Sequence, residues 1–164
     1  MPSNTFLKIS NIVNKTEKKV TPQFRKAFME EYHPSYSSLE NYGKSVLEFI
    51  LKKYGIAKQK TWEHDSIFNF ALDIKIDWKV INKKTGNASI TSKDKKGNTT
   101  KNRDSTHYGF IEMEGDPFQV GSVLKFKLFE IVDKDTVWNN PYKVYENYFV
   151  YKPKNNLHLQ ENVV

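Results

Sequence analysis

The chain has 164 residues, 38% hydrophobic and 14% aromatic, with a formal net charge of +7. This length and apolar content suit one domain with a real core, spanning residues 1–164, and exclude global disorder or two independent cores. With no cysteine there can be no disulfide framework, thiolate metal site or cysteine nucleophile.

The N-terminus, MPSNTFLKIS, lacks the basic region and apolar run of a secretory signal, and no stretch approaches the length of a membrane span. The expectation is a soluble cytoplasmic protein with no membrane partner. Residues 5–14, TFLKISNIVN, are rich in β-branched residues and read as an initial strand. Thr21 followed by Pro22 is a helix start, with a capping hydroxyl and proline at the first helical position, and that helix should run to about Tyr32, ahead of Pro34. Ser37 and Ser38 open a second helix that Gly55 stops. On its wheel Leu39, Tyr42, Val46, Leu47, Ile50, Leu51 and Tyr54 share the core side. Glu48 falls opposite, paired with Lys44 and Lys52 in solvent.

From Phe68 the period becomes two. In FNFALDIKIDWKVI, the even positions Phe68 to Val80 are apolar and face a core, while Asp73, Lys75, Asp77 and Lys79 share the wet face. One dry and one wet face is the antiparallel pattern. Turn signals at Thr85–Asn87 and Asp94–Asn98 flank a short strand, NASITS. Further strands are expected at THYGFIEM, SVLKFKLFEIV and KVYENYFVYK, with turns at Gly115–Pro117 and Asn139–Pro141. Tyr148 to Tyr151 is apolar on both faces and reads as a central strand; residues 153–164 read as a loose polar tail. The fold class is therefore α+β: an antiparallel sheet or small open barrel of five to six strands, with two helices from the N-terminal half packed on it.

The net charge is local. Lys79 to Arg103 carries seven lysines and one arginine against one acid, Asp94, so the other 139 residues sum to zero. A lysine-rich β-ribbon attracts polyanions, and Lys83, Lys84, Lys93, Lys95, Lys96, Lys101 and Arg103 are its candidate contacts. The competing interpretation is a solvated hairpin in a chain whose 24 Lys and 15 Asn reflect coding bias. Lysine is a point charge suited to phosphate, whereas base edges favour the guanidinium fork, so binding should be nearly independent of sequence. No aromatic residue lies within the stretch, which argues against base stacking.

Asp77-Trp78-Lys79, with Asp65 upstream, matches the carboxylate and lysine spacing by which restriction-type and junction-resolving nucleases hold Mg²⁺ and position water, and a helix glutamate such as Glu48 would complete the set. Against it, Glu48 is expected to face solvent, Asp73-Ile74-Lys75 matches equally well, and no crossover helix follows. His64 and His107 could meet as a metal-free acid and base pair, although isolated histidines are usually structural. The four histidines show no metal-ligand spacing, and Tyr42-Gly43-Lys44-Ser45 only mimics the end of a phosphate loop. No cofactor fingerprint is present. The leading expectation is a non-enzymatic module that contacts nucleic acid or nucleoprotein through phosphates. The first alternative is a small inhibitor or adaptor that docks on the acidic surface of a nucleic-acid-binding protein. The second is the Mg²⁺ nuclease built on Asp65, Asp77 and Lys79.

Overall fold

The computed structural model describes residues 4–31, 42–58 and 66–154. Its elements confirm the α+β class and arrange it in three layers. Helices α1 (Asn4–Lys15), α2 (Pro22–Glu31) and α3 (Tyr42–Lys53) lie on one face of a four-stranded sheet. That sheet has the order β1 (Glu17–Lys19), β7 (Val123–Asp133), β6 (His107–Glu114), β4 (Ile76–Val80). A three-stranded sheet of β5 (Ala88–Thr91), β9 (Tyr148–Tyr151) and β8 (Lys143–Val144) covers its other face, with a short helix, α4 (Lys134–Asn139), beside it. A two-stranded piece, β2 (Ala57–Lys58) with β3 (Ile67–Phe68), completes the described elements.

Residues 5–14 form a helix, contrary to the strand expected there. Phe6, Ile9 and Val13 recur at helical spacing, and burial of Ile9 and Val13 against the sheet outweighs the β-preference of the branched residues. The cap on α2 is as expected, with the Phe24 N–H donating to Thr21 Oγ1 at 3.0 Å. Gly55 ends α3 at φ +68°, and Gly55 and Ile56 N–H groups bond back to the Lys52 and Leu51 carbonyls, the paired bonds of a Schellman stop. The expected start of that helix at Ser37 and Ser38, and the end of α2 at Tyr32, lie outside the described residues.

The continuous strand expected from Phe68 to Val80 is broken. Turn bonds from Ala71 to Phe68 and from Ile74 to Ala71 fold the chain back on itself, leaving Leu72 61% exposed and Ala71 buried. In β4 the apolar Ile76 and Trp78 are fully buried as expected, but Asp77 between them is buried too. The four-stranded sheet is also mixed: β4 runs parallel to β6, while β6–β7 and β7–β1 are antiparallel. The link between β4 and β6 contains no helix; its strand β5 instead joins the second sheet.

A bulge opposite Phe110 and Ile111 inserts Phe129 into β7 and reverses its phase. Leu128 therefore faces the helices while Val132 faces the small sheet. Beside the bulge, the Leu128 N–H donates to Asn14 Oδ1 of α1 at 2.8 Å. As expected, β9 is the central strand of its sheet. Pro153 is buried and the Lys154 N–H bonds Glu130, so the tail is packed as far as the described residues reach.

Trp78 lies across Gly109, where a Cβ would sit 2.4 Å from the indole ring. Gly109→Ala is expected to cost about 2–3 kcal/mol, because neither the strand backbone nor the buried ring can give way. Urea denaturation of the variant measures it.

Candidate functional site

Gly43 lets α3 approach the edge of the sheet closely, with its Cα side against Val80 and Met113. The next residue, Lys44, thereby reaches β4 and donates to Asp77 Oδ1 at 2.6 Å. Lys79, two residues along the strand, lies 3.5 Å from Asp77 Oδ2, and Lys44 also lies 3.8 Å from Glu48 Oε1. Glu48 is only 5% exposed and Asp77 only 7%, which corrects the expectation that both face water. Lys52 pairs with Glu31 instead of Glu48. The helical wheel misplaced Glu48 because α3 is covered on more than one side: Phe49 is buried against α2 while Val46 and Leu47 also lie in the core.

Burial alone pushes the Asp77 carboxyl up, but Lys79 and Lys44 more than offset it and hold its pKa below the ordinary value. Asp77 is thus an anion clamped between two cations. Both lysines line a cavity of about 390 Å³ between β4 and strand β5, which Asn82, Asn87 and Ser89 also line. Asp73 is exposed and Lys75 pairs with Asp104 at 3.0 Å, so the rival Asp73-Ile74-Lys75 motif does not form a centre. Asp65 and His64 lie outside the described residues. Among the described residues no three carboxylate or imidazole side chains converge on a metal position.

His107 is half-buried at the start of β6, its Nδ1 2.7 Å from Thr106 Oγ1 and its ring beside Phe6. Burial lowers its proton affinity, opposed by Asp133. The phosphate-loop mimic falls inside α3, where its lysine is the residue that holds Asp77.

The basic stretch does not rise from β4 as a hairpin. Its strand β5 pairs with β9, and the stretch becomes two turns at opposite ends of the small sheet. In the first, Asn82 Oδ1 accepts from the Lys84 N–H at 2.9 Å and Gly86 takes φ +74°, leaving Lys83 and Lys84 exposed. In the second, Asp94 Oδ1 accepts from the Lys96 and Asn98 N–H groups, both at 2.9 Å, and Gly97 takes φ +82°. The one acid of the stretch is therefore engaged in holding its turn. Lys93, Lys95, Lys96, Lys101 and Arg103 are exposed around it.

The tertiary structure adds aromatic residues that the linear stretch lacks. Tyr142, Tyr145 and Tyr148 of the β8–β9 hairpin are 62%, 38% and 39% exposed. Tyr142 and Tyr145 line a groove of about 240 Å³ whose far wall is the first basic turn, at Asn82 and Thr85. The absence of aromatics between Lys79 and Arg103 thus does not hold for the folded surface. The available signal was the repeated tyrosine among lysines in YKVYENYFVYK, about forty residues downstream.

No protein-family model matches the chain, nor does any curated protein or solved structure. No described helix is long and apolar enough to cross a membrane.

Proposed function

We propose that this protein binds nucleic acid through phosphate contacts from Lys83, Lys84, Lys93, Lys95, Lys96, Lys101 and Arg103. The reading is carried by one observation: all seven side chains are exposed, and none forms an ion pair with a described carboxylate. Some lysines elsewhere are paired, as at Lys52–Glu31, Lys75–Asp104 and Lys127–Glu114, and outside Lys79 to Arg103 the basic and acidic side chains of the chain balance. Unpaired cations at both ends of one small sheet produce a field that attracts a polyanion and carries little sequence information. Binding to labelled DNA and RNA should weaken steeply between two salt concentrations and differ little between sequences. Retention of one stoichiometric protein partner, with no affinity for either nucleic acid, would favour docking on an acidic protein surface instead.

A second reading is favoured by the buried position of Glu48. Glu48 and Asp77 both lie near Lys44, and Lys79 lies near Asp77; two carboxylates and a lysine are the residue types used in divalent-cation hydrolysis of phosphodiesters. Glu48 and Asp77 are the described carboxylates that would hold the cation, which would polarise the phosphate. Lys44 now donates to Asp77 Oδ1 and lies 3.8 Å from Glu48 Oε1, so binding would require it to move aside. Lys79 would then stabilise charge developing on the phosphate as water attacks phosphorus and the ester oxygen departs with a proton. Cleavage of labelled strands in Mg²⁺ or Mn²⁺ that disappears in Asp77→Ala supports this reading; intact strands in both metals dispose of it.

A further inference from the structure

We infer that the outer face of the β5–β9–β8 sheet is a stacking platform for unpaired bases, so that the nucleic acid bound is single-stranded. This rests on the phosphate-binding reading above and specifies its ligand. The inner residues of the sheet, Ala88, Ile90, Phe149 and Tyr151, are buried in the second core. Their neighbours face outward in register: Ser89 beside Val150 and Lys143, and Thr91 beside Tyr148. Tyr145 stacks on Tyr148 with ring centres 4.5 Å apart and planes within 13°.

Lysines accompany these rings, with Lys143 5.2 Å from the Tyr145 ring and Lys152 5.7 Å from that of Tyr142. Glu146 is the one acid on the hairpin. The basic turns close both ends of the face. Asn82 and Thr85 form a wall of the groove at Tyr142, and the Lys93 N–H bonds the Asn147 carbonyl beside Tyr148. The strand between the turns, from Asn87 to Ser92, spans about 17 Å.

The occupant follows from the chemistry of this surface. Exposed tyrosines offer flat apolar faces with little conformational entropy, and unpaired bases are flat apolar partners that bring their own phosphates. A duplex keeps its bases stacked on one another and presents only phosphates and groove edges, so it would leave the rings unused. Asn87, whose side-chain oxygen is buried without a hydrogen-bond partner, lines the groove and gives a polar contact beside the rings.

The test compares a short labelled oligothymidylate, an abasic strand of equal length and a duplex by fluorescence anisotropy. The oligothymidylate should bind at least about fivefold tighter than the abasic strand. Tyr145→Ala with Tyr148→Ala should bring it to the abasic value without changing abasic binding. Tyr148→Phe keeps the ring and should keep the affinity, separating stacking from any loss of folding. Equal affinity for thymidylate and abasic strands, or preference for duplex that the tyrosine variants leave unchanged, overturns the platform while phosphate binding stands. No binding to any strand overturns the phosphate reading itself.

Discussion

Replacing Lys83, Lys84, Lys93, Lys95 and Lys96 together by glutamate should abolish the proposed nucleic-acid binding and leave the thermal transition where it was. Seven phosphate contacts to a single strand give a log–log salt slope of about −5, so the parent protein should lose about a thousandfold in affinity between 50 and 200 mM salt. The reversals take the chain from +7 to −3 and turn both ends of the small sheet into repelling patches. The fold should tolerate this, because the turns are held by Asn82, Asp94, Gly86 and Gly97, and the five side chains are exposed. Anisotropy titrations at two salt concentrations, beside a melting curve, measure both halves. Unchanged affinity would sink the proposed function.

Asp77→Ala should destabilise the protein by about 2–3 kcal/mol. Removing one member of a buried ion pair typically costs about 3–5 kcal/mol, because the partner charge is left uncompensated. Here the cost is smaller because the Lys44 and Lys79 side chains are 34% and 21% exposed and can turn toward water. The pH dependence carries the same signature. With its pKa held below the ordinary value, the Asp77 carboxylate binds fewer protons in the native state than in the unfolded chain. Its contribution is complete above the unfolded carboxylate pKa and is lost as the pH falls through the lower, folded value. The acid limb of the stability curve should therefore be shallower in Asp77→Ala than in the parent. Changing Lys44, Lys79 and Glu48 to Met beside Asp77→Leu should recover most of the loss, since Lys44 also faces the buried Glu48 carboxylate and only an apolar set at all four positions leaves none of their charges stranded. A quadruple variant as unstable as Asp77→Ala would show that packing, not charge, holds this edge. The folded parent and Asp77→Asn, assayed with divalent cations, decide the hydrolytic reading separately from stability.

Much of the fold could be read along the chain where one local rule acted without competition. The Thr21-Pro22 cap, the Gly55 stop, the turns at Gly86 and Gly97, and the alternation of Leu124, Phe126 and Leu128 are formed as expected. Each depends on φ, capping or a two-residue period that the residue itself sets. The failures occurred where two rules conflicted. In TFLKISNIVN, β-branched content pointed to a strand while the spacing of Phe6, Ile9 and Val13 pointed to a helix, and burial against the sheet decided. In the run from Phe68 to Val80, the alternating letters hid a reversal at Ala71 that turn bonding imposes.

The site was harder to read because its parts come from separate segments. Asp77 and Lys79 share a face by their spacing, as the sequence alone requires, but whether that face is wet depends on β5 and the small sheet lying across it. Glu48 looked solvated on its own helix and is buried because α3 is enclosed by α2 as well as by the sheet. The tyrosines of the β8–β9 hairpin reach the basic turns only because β9 pairs with β5.

By itself, then, the sequence determined the α+β class, the caps and turns, and the concentration of the whole net charge between Lys79 and Arg103. Those are properties of composition and of residues within a turn or two of one another. Tertiary structure alone decided that the two basic turns lie at the ends of a tyrosine-bearing sheet face, and that Asp77 is buried between Lys44 and Lys79. These are long-range pairings, fixed by the registers of β5 with β9 and of β4 with β6. Register is set where apolar faces meet across the chain: a one-residue slip of β4 would carry Trp78 out of the core and Lys79 into it.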